Sequence, residues 1–164
     1  YVPRESLDFS TQGKSYYQIT AIDEFSRKRI LKIIDEKSVT NTSRFLLNLE
    51  AKMGFPIHTI QTDNGREFTN YGVKDRECLF DIVLKRLGIE HKTTRPFSPW
   101  QNGKVERSHR IDGERFYSRK FNSMESFLKA HSRYANRYNN IAQKVLNFKS
   151  PNQVITEYFM NQKA

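Results

Sequence analysis

The nine residues 57–65, IHTIQTDNG, decide how the rest of this chain folds. β-branched and apolar residues up to Thr62 predict a short central strand, and Asn64-Gly65 predicts a tight exit in which Gly65 takes a positive φ. In open α/β sheets, functional sites form at the carboxyl ends of strands. Asp63 is therefore a candidate functional carboxylate, with an ordinary turn aspartate as the alternative.

Alternating apolar patterns extend outward from this stretch in both directions. Strands are predicted at 15–22, 29–34, 57–62 and 89–94, and helices at 42–53, at 80–87, around Glu106, from Ser123 and from Ser150-Pro151. Gly54 and Gly88 are predicted to end the first two helices. A hairpin followed by alternating elements indicates an α/β fold whose mixed sheet carries helices on both faces.

Composition favours a nucleic-acid partner. The chain has 164 residues, a length that suits one domain, and 28 basic against 18 acidic residues give a net charge of +10. Such a charge favours a polyanion, nucleic acid before membrane, although a generic basic surface is the alternative. No apolar run approaches the roughly 18 residues of a membrane span. Cys78 is the single cysteine, so the sequence predicts neither an internal disulfide nor a cysteine-based zinc site.

A second candidate carboxylate, Glu106, lies in residues 98–107, SPWQNGKVER, where a proline-broken loop runs into a helix. Helical spacing places Asn102, Glu106 and Arg110 on one stripe. An ordinary ion pair between Glu106 and Arg110 is the alternative reading of this spacing, worth a few tenths of a kcal/mol. That pair leaves the preceding Asn102-Gly103 unexplained, since a glycine near the start of a helix weakens it.

The close approach of a phosphodiester backbone would explain the missing side chain at Gly103. Lys104, Arg107 and Arg110 would then be phosphate contacts that are sensitive to salt and blind to sequence. Two converging carboxylates in a basic protein can hold Mg²⁺ against a phosphate. The sequence therefore indicates phosphoryl-transfer chemistry on nucleic acid.

Residues 62–68, TDNGREF, together with residues 96–107, PFSPWQNGKVER, resemble the catalytic core of retroviral integrases and bacterial insertion-sequence transposases. The resemblance covers nearly the whole chain. The two carboxylates are separated by 106 − 63 = 43 positions, wider than in retroviruses, which favours the bacterial transposase branch. The resemblance implies a ribonuclease H-like fold with a mixed five-stranded sheet flanked by helices on both faces, and DNA cleavage and joining with two metal ions.

Carried onto this sequence, the resemblance makes Asp63 the second and Glu106 the third carboxylate of a catalytic triad. Both are implied to bind Mg²⁺ or Mn²⁺ in a two-metal site. Asn64 and Asn102 are implied DNA contacts beside Lys104, Arg107 and Arg110. The resemblance also implies a homodimer or larger assembly on paired DNA ends, inside a bacterial cell and associated with the nucleoid.

The chain departs from the family pattern at one position. The family's first aspartate lies just before a segment like residues 1–3, and no residue here fills that place. We therefore expect 1–164 to be one N-terminally truncated catalytic core, with the first aspartate upstream of Tyr1 and little activity in this fragment. Asp8, in a polar loop, and Asp23, expected to cap the hairpin turn with Ser26, are poor substitutes.

Two other readings stay open: a ribonuclease H-like nuclease that only hydrolyses, and a catalytically incomplete nucleic-acid-binding domain. Among neighbouring residues, Phe68 is predicted to be a core residue and Glu67 a solvated charge. His91 and His109 are predicted to lie on the surface.

Overall fold

The computed structural model describes residues 1–69, 77–95 and 103–162. Its strands are β1 (Tyr17–Ile22), β2 (Arg29–Ile34), β3 (Thr59–Thr62) and β4 (Glu90–Thr93). Its helices are α1 (Val39–Leu46), α2 (Leu49–Met53), α3 (Leu79–Leu87), α4 (Gly103–Arg115), α5 (Met124–Asn140) and α6 (Pro151–Asn161), with short 3-10 turns at Arg4–Ser6 and Lys144–Leu146. Across these ranges, none of the helices has the length and hydropathy needed to traverse a bilayer.

The strands pair in two ways. β1 and β2 form an antiparallel hairpin, with Tyr17 opposite Ile34 and Ile22 opposite Arg29. β3 and β4 are parallel, with Thr59 opposite Glu90. The α/β class is thus confirmed, but the five-stranded sheet is wrong for the described residues, where four strands form two separate two-stranded sheets.

The first six residues form no strand beside β1. Val2 N donates to Tyr16 O at 2.8 Å, which sets residue 2 beside the start of β1. Pro3 follows and has no N–H to continue a ladder, and Arg4–Ser6 then forms a 3-10 turn.

Helix boundaries follow local chemistry. The single helix predicted over 42–53 is instead α1 and α2, because Asn48 leaves the helical region and its side-chain amide donates to Arg44 O at 3.1 Å. Gly54 and Gly88 end α2 and α3 with φ of 81° and 69°, as predicted. α5 begins directly after Ser123, as predicted, and that serine caps it; Ser150 caps α6, also as predicted.

Two apolar cores lie on opposite faces of the hairpin. The first core comprises Phe45, Leu46, Leu49, Met53, Cys78, Phe80, Leu84 and Ile89, and the second comprises Val2, Leu7, Phe116, Tyr117, Phe121 and Phe127. Strand alternation directs Ile19 and Ile30 to the first core and Ile33 to the second. Because α2 and α5 both contact β2, and α4 contacts β1, helices cover both faces of the hairpin as predicted.

Candidate active site

Asp63 directly follows β3 and its side chain is exposed. Its Oδ1 accepts a hydrogen bond from Gly65 N at 3.0 Å. A Cβ at Gly65 would lie 2.9 Å from Asp63 Oδ1 and 2.8 Å from Glu67 Oε2, closer than real Cβ contacts allow. Gly65 has no positive φ, so that prediction is wrong; a side chain at this position would instead have to displace the carboxylate ends of Asp63 and Glu67.

The turn after Asp63 is anchored to the first core. Phe68 packs edge-on against Phe80, with ring centroids 5.2 Å apart, which confirms its predicted core position. Glu67 is not a freely solvated charge, because its side chain is only 22% exposed and lies 3.9 Å from Lys37 Nζ. Its carbonyl accepts from Thr42 Oγ1 at 2.9 Å. These contacts fix the backbone that presents Asp63.

The exit of β3 is tied to β4 by hydrogen bonds. Thr94 N donates to Thr62 O at 2.9 Å, and the Asn64 amide donates to Thr94 O at 3.0 Å. Asn64, a predicted DNA contact, therefore has a structural partner for its amide. His91 is 13% exposed, so the prediction of a surface position is wrong. Its ring is turned from β4 against Phe80, with centroids 5.3 Å apart.

Glu106 lies in the first turn of α4 and its side chain is exposed. It forms no ion pair with any residue that the structure describes, and Arg110 instead approaches Glu114, with Nε and Oε1 4.0 Å apart. The alternative of a Glu106–Arg110 pair is thereby removed. Apart from the adjacent residues and the helix's own backbone, no described atom lies within 4 Å of a Cβ built on Gly103.

The predicted phosphate contacts on α4 are all exposed. Lys104 forms an ion pair with Glu24 in the hairpin turn, and Arg107 has no carboxylate partner among the described residues. Asn102 lies outside the described residues. Because exposed ion pairs contribute about 0–1 kcal/mol, Lys104 and Arg110 can exchange their carboxylates for phosphate at little cost.

His109, one turn beyond Glu106, is exposed as predicted. Desolvation lowers the pKa of its imidazole, while the carboxylates of Asp112 and Glu106 act in the opposite direction.

A buried ion pair holds α4 against the hairpin. Arg29 Nη1 lies 2.9 Å from Asp112 Oδ1, and both side chains are 1% exposed. The guanidinium also donates to Ser108 Oγ and lies over the Tyr138 ring, 3.6 Å from its centroid. The hydroxyl of Tyr134 donates to Asp112 Oδ1 at 2.7 Å. Sequence reasoning missed this network; its signal was a serine and an aspartate at inward positions 108 and 112 of the helix.

Gln18 on β1 extends the network to α5. Its amide nitrogen donates to Asp112 Oδ2 at 2.8 Å, so its carbonyl oxygen must accept from Tyr117 OH at 2.7 Å and from His131 Nε2 at 3.0 Å. Burial lowers the pKa of His131 to about 4, which keeps the ring neutral with its proton on Nε2. Asp23 accepts from Ser26 N and Oγ, confirming that it caps the hairpin turn.

The two candidate carboxylates suit a hard cation. Asp63 and Glu106 offer oxygen ligands, the donor type that Mg²⁺ and Mn²⁺ prefer. Neither is neutralised by an ion pair among the described residues. Residues 1–69, 77–95 and 103–162 nevertheless contain no group of three or more side chains able to hold a metal ion. The structure thus places two potential ligands on β3 and α4 without completing a cluster.

This arrangement of hairpin, parallel strand pair and helices is found in solved integrase structures. The catalytic core domain of BIV integrase matches with a TM-score of 0.63 and 20% identity, over 97% of this chain and 99% of that one. A simian T-cell lymphotropic virus intasome, solved with the PP2A regulatory subunit B56 gamma, matches with a TM-score of 0.66 and 24% identity, over 85% of this chain and 48% of that one. The fold is that of the integrase catalytic cores.

The chain belongs to the integrase core domain family. One model of that family matches residues 7–99 and a second matches residues 87–141. A putative integrase, ORF3 of Spiroplasma virus SpV1-C74, is 30% identical over 155 residues, which cover 84% of this chain and 41% of the relative. The chain thus spans less than half the length of that relative.

Proposed function

We propose that this chain is the catalytic core of a DNA transposase or integrase, which uses Mg²⁺ or Mn²⁺ to cleave phosphodiesters and transfer DNA strands. The observation that carries the proposal is the pair of exposed carboxylates without ion pairs, Asp63 at the end of β3 and Glu106 at the start of α4. They occur in a family member with a net charge of +10. An excess of positive charge favours DNA, and free carboxylates favour divalent cations.

The chain's own residues prepare the site in distinct ways. Gly65 N–H binds Oδ1 of Asp63 and so fixes the orientation of that carboxylate. Glu106 lies in the first helical turn, where the helix dipole favours a negative charge. Asp63 and Glu106 would hold the metal ions, which supply charge stabilisation and activation of water or a 3′-hydroxyl during in-line displacement.

The DNA backbone is proposed to follow the exposed side of α4. Lys104, Arg107 and Arg110 supply positive charge there, and the open space at Gly103 admits a close backbone approach. Asn64 can contribute only its side-chain oxygen while its amide is bonded to Thr94. These contacts would position DNA without reading its sequence.

We further propose that the first carboxylate of the triad precedes Tyr1 in the native protein. Val2 pairs with Tyr16, which directs the preceding backbone along β1.

Assembly and location are proposals of the same kind. A homodimer or larger assembly on paired DNA ends, in a bacterial cell interior, follows from the kinship with integrases.

The decisive test compares carboxylate variants of the full-length protein on supercoiled plasmid with Mn²⁺ or Mg²⁺. Asp63→Asn and Glu106→Gln should each lower nicking about 100-fold or more, because a lost metal ligand removes several kcal/mol of charge stabilisation. Glu114→Gln, an exposed carboxylate on the same helix, is the matched control and should keep wild-type rates. Circular dichroism would verify that all three variants fold.

The products separate the competing readings. Joined strands ending on a 3′-hydroxyl support transposase chemistry, whereas nicks without joining indicate a hydrolytic nuclease. DNA binding without any cleavage by the full-length protein would favour the catalytically incomplete binding domain. Wild-type nicking by both Asp63→Asn and Glu106→Gln would refute the proposed site.

A further inference from the structure

Three side chains behind Asp63 form a continuous line of hydrogen bonds from α3 to the end of β3. His91 on β4 places Nδ1 2.6 Å from Oδ1 of Asp81 and Nε2 2.9 Å from Oγ1 of Thr62. Oγ1 of Thr62 lies 2.9 Å from the carbonyl oxygen of Asp63, to which it donates. The line therefore ends on the peptide group of the candidate catalytic residue.

The chemistry of the groups fixes the orientation of the ring. The Asp81 carboxylate only accepts hydrogen bonds, so Nδ1 of His91 must carry a proton. Nε2 then faces Thr62, whose hydroxyl both donates and accepts. Because the single hydroxyl proton of Thr62 is donated to the Asp63 carbonyl, Nε2 of His91 must be the donor in its bond to Oγ1, so both ring nitrogens donate.

Burial indicates what this line of residues does. Threonine, histidine and aspartate in this order also occur where a base activates a hydroxyl nucleophile. Here the Thr62 residue is only 8% exposed and its hydroxyl is bonded to the adjacent carbonyl, so substrate cannot reach it. His91 is 13% exposed and its ring packs edge-on against Phe80. The arrangement is suited to holding a strand end in place, not to attacking a substrate.

We propose that His91, oriented by Asp81, is a positioning residue that fixes Asp63 through Thr62. The inference rests on the proposed function, because it assigns these residues to the same metal-binding carboxylate. Groups that orient a metal ligand typically change affinity or activity by about 10–100-fold when removed. His91 acts through another residue and does not touch the reacting atoms.

The test uses two matched pairs of variants in the full-length protein. In the first pair, the longer amide side chain of His91→Gln can reach Thr62, whereas the shorter one of His91→Asn reaches only Asp81. In the second pair, Thr62→Ser keeps the hydroxyl that Thr62→Val removes. His91→Asn and Thr62→Val should each lower kcat for Mn²⁺-dependent plasmid nicking about tenfold, with KM for DNA unchanged. His91→Gln and Thr62→Ser should retain most of the rate. Thr59→Val, at the exposed start of β3, is the control for loss of a hydroxyl.

Nuclear magnetic resonance supplies a readout that does not depend on activity. The amide of Asn64 belongs to the same peptide group as the Asp63 carbonyl, so its resonance reports on the bond from Thr62. His91→Asn and Thr62→Val should shift this resonance together and should weaken Mn²⁺ binding, while His91→Gln and Thr62→Ser should not.

The outcomes distinguish the two levels of inference. If His91→Asn leaves the Asn64 resonance and kcat at wild-type values while Asp63→Asn abolishes nicking, the positioning role is overturned and the proposed function stands. If Asp63→Asn nicks at the wild-type rate, the proposed function fails. The Asn64 resonance and the Mn²⁺ affinity of the His91 variants still decide whether His91 positions Asp63.

Discussion

The two halves of the candidate site are held by different kinds of interaction. Asp63 extends from the β3–β4 pair, which packs on the first core with Phe80, Leu84 and Ile89. Glu106 lies on α4, which is joined to the hairpin by the buried pair of Arg29 and Asp112 as well as by the second core. One carboxylate is supported mainly by apolar packing, and the other largely by a polar network.

The region around Asp63 and the region around Glu106 should therefore respond to different kinds of substitution. Apolar packing depends on volume, so its energy changes gradually as methylene groups are removed. A buried ionic network depends on every partner being present, because a single unpaired buried charge is costly. Substitutions in the two regions should therefore change the free energy of unfolding in different ways, which three experiments can distinguish.

The largest effect is expected from Asp112→Asn, which leaves the buried guanidinium of Arg29 without its counter-charge. Loss of one partner of a buried pair typically costs about 3–5 kcal/mol. Urea unfolding followed by circular dichroism would measure the change in the free energy of unfolding. The exposed pair of Arg110 and Glu114 provides the control, since Glu114→Gln should change stability by about 0–1 kcal/mol.

The double variant Arg29→Met/Asp112→Leu sharpens this comparison. It removes both charges and replaces them with apolar groups, so it should recover much of the loss seen in Asp112→Asn. A loss in the double variant larger than in the single one would show that the contacts of Arg29 with Tyr138 and Ser108 matter more than its charge. An Asp112→Asn protein as stable as wild type would contradict the role assigned to the network.

A second experiment examines the side that carries Asp63. Leu84 is 1% exposed in the first core, so Leu84→Ala should cost about 2–5 kcal/mol by loss of burial and creation of a cavity. Leu84→Met conserves volume and should cost less than about 1.5 kcal/mol. Equal losses for both variants, measured by the same urea titration, would show that this region does not respond to volume alone.

The sequence alone was sufficient to predict the features that depend on residues close together along the chain. Glycine ends of α2 and α3, serine caps of α5 and α6, and the strand before Asp63 depend on neighbouring residues, and all were predicted. The positions of Asp63 and Glu106 relative to those elements followed from the same patterns.

Contacts between residues far apart in the sequence could not be predicted in this way. Arg29 and Asp112 are 83 positions apart, and no local pattern indicates that a charged strand residue meets an aspartate on a later helix. His91 was predicted to lie on the surface because a lone histidine in a polar strand carries no sign of its partners Thr62 and Asp81. Gly65 was assigned a positive φ, since the approach of the Glu67 side chain becomes visible only in three dimensions.

The smallest effect concerns pH and again separates the two regions. Burial lowers the pKa of His131 to about 4, below its ordinary value of 6.5, so the unfolded chain binds a proton more readily than the folded one. Stability from this residue is complete above about pH 6.5 and is lost as pH falls toward 4, amounting to about 2 kcal/mol between pH 7 and pH 5.

His131→Gln removes the titrating group on the α4–α5 side. Its free energy of unfolding, measured by urea titration at pH 7 and at pH 5, should fall about 2 kcal/mol less than that of the wild-type protein. Leu84→Ala should keep the wild-type pH dependence, because it alters only the apolar region. Equal losses of stability on acidification for His131→Gln and wild type would contradict this prediction. The neutral His131 ring would then add no pH-dependent stability, and the polar region would respond to pH as the apolar one does.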